Sequence, residues 1–159
     1  MQSLTHPLLH DLLVRAAGAP RRRAHHALHA GSSDPLQRFM VAGLDDTYFR
    51  PHRHLSKGEL AILVHGGVDV LEFDEEGMLV TRESFGPGHD AFAWETPPGT
   101  WHTLVPRGPF AFVEVKLGPY DPATAVEYAA WAPAEGDAAV PAFRAWLADA
   151  ATGARFVRS

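Results

Sequence analysis

From Leu36 to Leu117 the chain breaks into short apolar runs, and each break falls on residues that turn a backbone. The breaks are Gly43-Leu44-Asp45-Asp46, Ser56-Lys57-Gly58, His65-Gly66-Gly67, Asp74-Glu75-Glu76-Gly77, Gly86-Pro87-Gly88, Pro97-Pro98-Gly99 and Pro106-Arg107-Gly108-Pro109. Between them lie eight strand candidates: Leu36–Ala42, Asp46–His54, Glu59–His65, Val68–Phe73, Met78–Phe85, Ala91–Glu95, Trp101–Val105 and Phe110–Leu117. Short strands at this even spacing with tight connections are the pattern of a small antiparallel barrel or a double-sheet jelly roll.

The flanks read differently. Leu4, Leu8 and Leu12 recur every fourth residue, Pro7 suits a first helical turn and Gly18-Ala19-Pro20 stops the pattern, so a helix is expected from Pro7 to Ala17. The stretch "RRRAHHALHAGSSDP" that follows reads as a polar linker, and alanine-rich spacing predicts helices over Pro122–Trp131 and Pro141–Ala150. The expected organisation is an N-terminal helix and arm (1–35), a β-barrel (36–118) and a C-terminal helical extension (119–159), all in one domain. A length of 159 residues with 46% hydrophobic and 21% charged residues suits a single globular core.

Composition also narrows the partners. A formal charge of −5, with Arg21-Arg22-Arg23 the one basic cluster, argues against a general nucleic-acid binder. His10-Asp11 interrupts the early leucines well short of the roughly 20 apolar residues of a membrane span, and no basic segment precedes them, so neither an anchor nor a signal peptide is expected. The absence of cysteine excludes disulfides and thiolate metal sites and suits a cytoplasmic location. Any metal must then sit on histidine and carboxylate.

"PHRHLSKGEL" (51–60) offers such ligands. On a strand His52 and His54 point the same way, along with Tyr48 and Arg50, about 7 Å apart, within reach of one ion. A hairpin through Ser56-Lys57-Gly58 is expected to bring Glu59 back beside His54. His102, after the turn Pro97-Pro98-Gly99, comes from a separate strand and supplies a fourth ligand. Three imidazoles and one carboxylate make a facial divalent site with open coordination positions, which iron, manganese, nickel and zinc all accept.

His52-x-His54-x4-Glu59-x6-Gly66 followed by Pro97-x-Gly99-x2-His102 resembles the paired motifs of the cupin superfamily across the β region. Asp46, Ala91 and Pro106 stand where those motifs usually carry glycine, glycine and asparagine, positions that shape turns rather than hold metal. A narrower likeness runs along nearly the whole chain. Arg21/Arg23, His29, Gln37-Arg38, Tyr48-x2-Pro51-His52-Arg53-His54, Phe73-Asp74-x2-Gly77, Glu114-Val115-Lys116-x-Gly118-Pro119-Tyr120-Asp121 and Trp131-Ala132-Pro133-x-Glu135-Gly136 resemble the WbuC family of cupin-fold metalloproteins. The resemblance implies a mainly β, single-domain cupin-type double-stranded β-helix with one divalent ion on His52, His54, Glu59 and His102. It also implies a link to bacterial surface-polysaccharide metabolism.

Around that ion, Glu114 and Tyr120 are the candidate acid/base residues. Glu114 alternates with Phe110 and Phe112, where an inward carboxylate is costly to bury unpaired, and is read either as a general base near the ion or as the salt-bridge partner of an arginine such as Arg38 or Arg50. Arg21, Arg23, His29, Tyr48 and Arg50 are candidates for holding a small saccharide or anionic ligand, with His25 beside them in the arm. His6, His10, His26, His65 and His89 are read as non-ligands. Trp94, Trp101, Trp131 and Trp146 are read as packing residues, Trp101 facing away from the site. The reading expected is redox-neutral isomerase, epimerase or lyase chemistry at the ion, with an Fe(II)-dependent oxygenase and a non-catalytic ligand-binding module as alternatives. The exposed edges of such a fold make a homodimer a candidate assembly.

Overall fold

The protein is described by a computed structural model covering residues 1–158. In chain order it contains α1 (His6–Gly18), β1 (Arg23–Ala27), β2 (Leu36–Gly43), β3 (His52–Arg53), β4 (Glu59–His65), β5 (Val68–Phe73), β6 (Leu79–Phe85), β7 (Ala93–Thr96), β8 (Trp101–Pro106), β9 (Phe110–Leu117), β10 (Glu127–Tyr128) and α2 (Val140–Asp149). The strands form two five-stranded antiparallel sheets, β1-β2-β9-β4-β7 and β10-β3-β8-β5-β6. Strands β4, β5 and β9 coincide with the runs read from the sequence.

Because side chains alternate across a strand, each sheet separates two apolar layers. Between the sheets Ala61, Val68, Val70, Phe85, Trp94, Leu104, Phe110 and Phe112 fill the barrel interior. Outside the first sheet, Leu12 of α1 covers Met40, Ala42 and Ala111. Outside the second, Leu71, Phe73, Leu79 and Trp101 pack against Phe143 and Leu147 of α2. Helix α1 starts where expected: Thr5 Oγ1 accepts the Leu8 N–H at 3.3 Å and Pro7 occupies the first turn. Among the described residues no helix is long and apolar enough to cross a membrane.

Four expectations are corrected. Arg23–Ala27 is strand β1 rather than linker, paired with β2 from Arg23↔Gly43 to Ala27↔Phe39; as a sheet edge it tolerates its polar composition. Asp46–His54 is not a continuous strand, since only His52–Arg53 pairs in a ladder. Pro122–Trp131 is not helical: Glu127↔Arg53 and Tyr128↔His52 pair it to β3 as an extended edge. Finally, β3 and β4 do not form a hairpin. They lie in opposite sheets, and residues 54–58 carry the chain from one to the other.

Candidate metal centre

That crossing assembles the site. Glu59 opens β4 in one sheet, while His52 and His102 are register partners on β3 and β8 of the other and His54 follows just after β3. The carboxylate therefore meets the imidazoles across the barrel interior, not along one strand pair. Glu59 Oε2 lies 3.0 Å from His54 Nε2 and Glu59 Oε1 lies 3.0 Å from His102 Nε2. One ligand atom from each of His52, His54, Glu59 and His102 falls within 4.8 Å of the others. His54, Glu59 and His102 are buried.

The other ring nitrogens explain which atoms point inward. His52 Nδ1 faces the Arg50 carbonyl at 2.9 Å, His102 Nδ1 the Thr100 carbonyl at 2.9 Å and His54 Nδ1 the Ala125 carbonyl at 2.5 Å. A carbonyl only accepts, so each Nδ1 carries the proton and each Nε2 presents a lone pair to the centre. Neutral Nε2 lone pairs against an ionised carboxylate would repel; with no ion a proton on His54 or His102 relieves the conflict, and a divalent cation among the four would relieve it in that proton's place. The His54 Nε2 atom is buried without a hydrogen-bond partner, its approach to Glu59 being misdirected for an N–H bond. Metal–ligand bonds of about 2.1 Å at right angles separate ligand atoms by about 3.0 Å, the spacing seen between Glu59 and two imidazoles. The residues fit a divalent ion.

Protonation follows the same logic. Burial, helped by repulsion from His102, drives the His52 pKa down to about 3, leaving it neutral. Burial opposes charge on His54 as well, but the Glu59 carboxylate outweighs it and the pKa rises. Burial alone would raise Glu59; contacts with His102 and His54 hold it well below the usual carboxylate range.

A cavity of about 140 Å³ opens onto the quartet. One side is apolar, from Phe49, Ala61, Trp94, Leu104 and Phe112, and the rest carries charge. Of the residues read from the sequence, Arg21, Arg23, Arg50 and Glu114 line it. His29, Tyr48 and Tyr120 do not. His29 Nδ1 binds Arg38 backbone at 2.9 Å, the Tyr48 phenol donates to the Pro133 carbonyl at 2.8 Å in the outer apolar layer, and Tyr120 is exposed. Trp101 does face away, its Nε1–H donating to Glu75.

The partner of Glu114 is neither Arg38, which pairs with Asp34, nor Arg50, which donates to the Ala129 carbonyl. It is Lys116, two residues on along the inward face of β9, with Nζ 2.6 Å from Glu114 Oε1 and 3.6 Å from Glu59 Oε2. Burial and the nearby Glu59 charge push the Glu114 pKa up. Burial disfavours the Lys116 ammonium, yet Glu114 and Glu59 together raise its pKa. Sequence reasoning passed over Lys116, Tyr128 and Glu135 as site residues; for Lys116 the signal was the period-two alternation from Phe110 through Glu114. Glu135 Oε1 accepts from Arg21 at 2.5 Å and Arg23 at 3.0 Å, clasping the N-terminal arm to the C-terminal segment at the cavity.

No functionally curated protein matches the sequence. Among solved structures, the chain is similar to the capsular polysaccharide assembling protein CapF from Staphylococcus aureus, with 14% identity and a TM-score of 0.56 over 67% of this chain and 29% of that one. It is also similar to oxalate oxidase in complex with glycolate, with 14% identity and a TM-score of 0.53 over 82% and 68% of the two chains. A third likeness is to the DMSP lyase DddQ from Ruegeria pomeroyi, with 24% identity and a TM-score of 0.50 over 67% and 51%. The chain thus spans about half of DddQ and under a third of CapF. These likenesses are of fold, and with the two antiparallel sheets they make the barrel a cupin-type jelly roll. A family profile described as a domain of unknown function, DUF6016, matches residues 4–85, which include the arginine arm, His52, His54 and Glu59. By that match over half its length, the chain belongs to the DUF6016 family.

Proposed function

We propose that the chain is a metal-dependent enzyme of redox-neutral type, an isomerase, epimerase or lyase acting on a small oxygen-rich anion such as a sugar acid or a phosphorylated sugar. The observation that carries this reading is the uniform orientation of three imidazoles, each Nδ1 tied to a backbone carbonyl and each Nε2 turned toward Glu59 at the floor of a charged cavity. Backbone acceptors of this kind fix the tautomer and the ring plane of metal-binding histidines. His52, His54, Glu59 and His102 would hold one divalent ion, with iron, manganese, nickel and zinc all compatible with the donor set. When bound, such an ion supplies Lewis acidity toward a substrate carbonyl or hydroxyl oxygen.

The remaining work falls to the chain's own residues. Glu114 can hold or release a proton at its carboxyl because burial keeps its pKa raised, and the 2.6 Å contact to Lys116 holds the carboxyl group in place. Arg21, Arg23 and Arg50 favour an anionic group on the substrate, and Phe49, Trp94 and Phe112 keep water from the opposite wall. Four cationic side chains face three carboxylates around the cavity, before any ion is counted. The connection to surface-polysaccharide metabolism rests on the residue-level likeness to the WbuC family, a likeness in keeping with the name of CapF.

The test is a substrate panel of hydroxy acids, sugar phosphates and sugar nucleotides. It is run with protein reconstituted separately with each of the four metals and read by proton NMR in deuterated water. Turnover or solvent-deuterium incorporation, lost in His102→Ala, supports the reading. A ligand that binds tightly and returns unchanged with no deuterium overturns it in favour of a binding module, and stoichiometric oxygen uptake overturns it in favour of an oxygenase.

A further inference from the structure

The outward face of the first sheet is covered by α1 only over β1, β2 and the start of β9. From the helix outward the ladder registers set two rows across four strands. One row reads Met40, Val113, Ile62, Ala93; the next reads Arg38, Val115, Leu60, Glu95. Leu60 is 40% exposed and Val64, further along β4, is 48% exposed. Leu36 and Leu117, paired at the far end of β2 and β9, are 40% and 59% exposed. From Val113 and Ile62 to Leu36 and Leu117 this is one apolar surface on the part of the sheet face that α1 leaves uncovered, with Met40 at its border buried beneath the helix, the kind of patch that marks an interaction site.

The charges at its borders identify the occupant. The second row runs basic, apolar, apolar, acidic, over three inter-strand steps or about 14 Å. Among the described residues Glu95 has no ion-pair partner, and Arg38 on β2 pairs with Asp34 at 3.3 Å and donates to the Leu36 carbonyl at 3.2 Å. A twofold axis lying in the interface, parallel to the strands and between β9 and β4, sets Arg38 of one subunit opposite Glu95 of the other and Val115 opposite Leu60. An axis across the strands would instead oppose Arg38 to Arg38 and Glu95 to Glu95. The row is therefore self-complementary under one twofold and self-repelling under the other, the property an isologous interface requires.

We infer that this face is the interface of a homodimer in which two copies of the chain pack β2-β9-β4-β7 against itself with reciprocal Arg38–Glu95 ion pairs. The inference is independent of the chemistry proposed for the cavity, because none of these side chains lines it.

Sedimentation velocity on the full chain, mass 17.3 kDa, tests it. The wild type is expected to sediment as two chains at micromolar concentration, and Ile62→Glu as one. Arg38→Glu and Glu95→Arg are each expected to weaken the dimer at least about tenfold, and the double swap to restore it to within a few-fold. Bound-metal content, measured alongside, separates loss of pairing from loss of fold. A wild type that stays a single chain at about 100 µM, where a dimer with a Kd of about 1 µM would be almost wholly paired, overturns the inference, as does a dimer indifferent to the single swaps or not rescued by the double one.

Discussion

His52 and His102 stand directly opposite each other across the β3–β8 ladder, ring centroids 4.4 Å apart, and each ties its Nδ1 to the carbonyl two residues before it, just ahead of its strand. The same local bond is thus used twice to aim two imidazoles at one point. Removing either ring deletes a ligand outright. The expected loss of divalent affinity in His52→Ala or His102→Ala exceeds the roughly 10–100-fold that follows from losing a supporting hydrogen bond alone. Isothermal titration with Mn(II) and Zn(II) reads it directly; unchanged affinity in both variants would remove the centre.

Ion binding should also appear as heat stability, because the four ligands come together only in the folded barrel. At a free-ion concentration about 100 times its Kd, the gain is about 2.7 kcal/mol. For a chain of this size that is roughly 5–10 °C in Tm. A thermal melt with and without chelator checks it, and the shift should vanish in the double variant His52→Ala/His54→Ala.

Glu114 is adjacent to the centre without being part of the quartet. Glu114→Gln keeps the shape and removes the proton-holding group. Divalent ion content is expected to stay at the wild-type level while turnover falls by about 10²–10⁴, the usual worth of a general acid or base. Turnover within a factor of two of wild type would show that another group moves the proton.

How far the sequence carried depended on where each backbone group found its partner. Strands β4, β5 and β9 were legible because their carbonyls and N–H groups serve the ladders, and alternation or continuous apolarity follows. The segment 47–51 looked like the same thing and is not. Its carbonyls go elsewhere: Tyr48 to Arg23, Phe49 to the Thr103 hydroxyl, Arg50 to His52 Nδ1 and Pro51 to the Ala129 N–H. The helix expected over Pro122–Trp131 fails for a related reason, since Ala125 and Ala129 give their carbonyls to His54 and Arg50. Alanine content records a local preference, and tertiary contacts overrode it. Likewise the four ligands were visible from motif spacing, whereas sheet order brings Lys116 and Tyr128 beside the quartet and the bonds to Arg21 and Arg23 bring Glu135 to the cavity.

The Glu135 clasp should respond to acid. Burial opposes ionisation of Glu135, but its bonds to Arg21 and Arg23 hold its pKa below the usual carboxylate value. A depressed folded-state pKa contributes stability above the unfolded value near 4.3 and loses it as pH falls through the lower folded value. The clasp should therefore hold unchanged from pH 5 to 8 (roughly, the span above that carboxylate value) and open only in stronger acid. Its effect on global stability should be small, because the pair is partly exposed. Nitrogen NMR of the Arg21 and Arg23 side chains checks this: a transition midpoint at or above that of a free glutamate would contradict it.

At the turn between β4 and β5, Gly66 has φ +70°, and a Cβ there would sit 2.1 Å from the Pro109 carbonyl oxygen. Gly66→Ala combines a strained backbone with a clash against main chain, and is expected to cost about 1–3 kcal/mol. Chemical denaturation should register this as a lower midpoint with an unchanged slope.

The clasp between Glu135 and the two arginines joins residues from the two ends of the chain at one cavity. The arm contributes Arg21 and Arg23, the tail contributes Val126, Tyr128 and Glu135, and the strands between contribute His52, His54, Glu59 and His102. The quartet and this part of the cavity wall thus come from different stretches of the chain. A trimmed 36–118 fragment would keep the quartet but lose Arg21, Arg23, Val126, Tyr128 and Glu135 from the cavity wall, so a ligand screen calls for the whole chain.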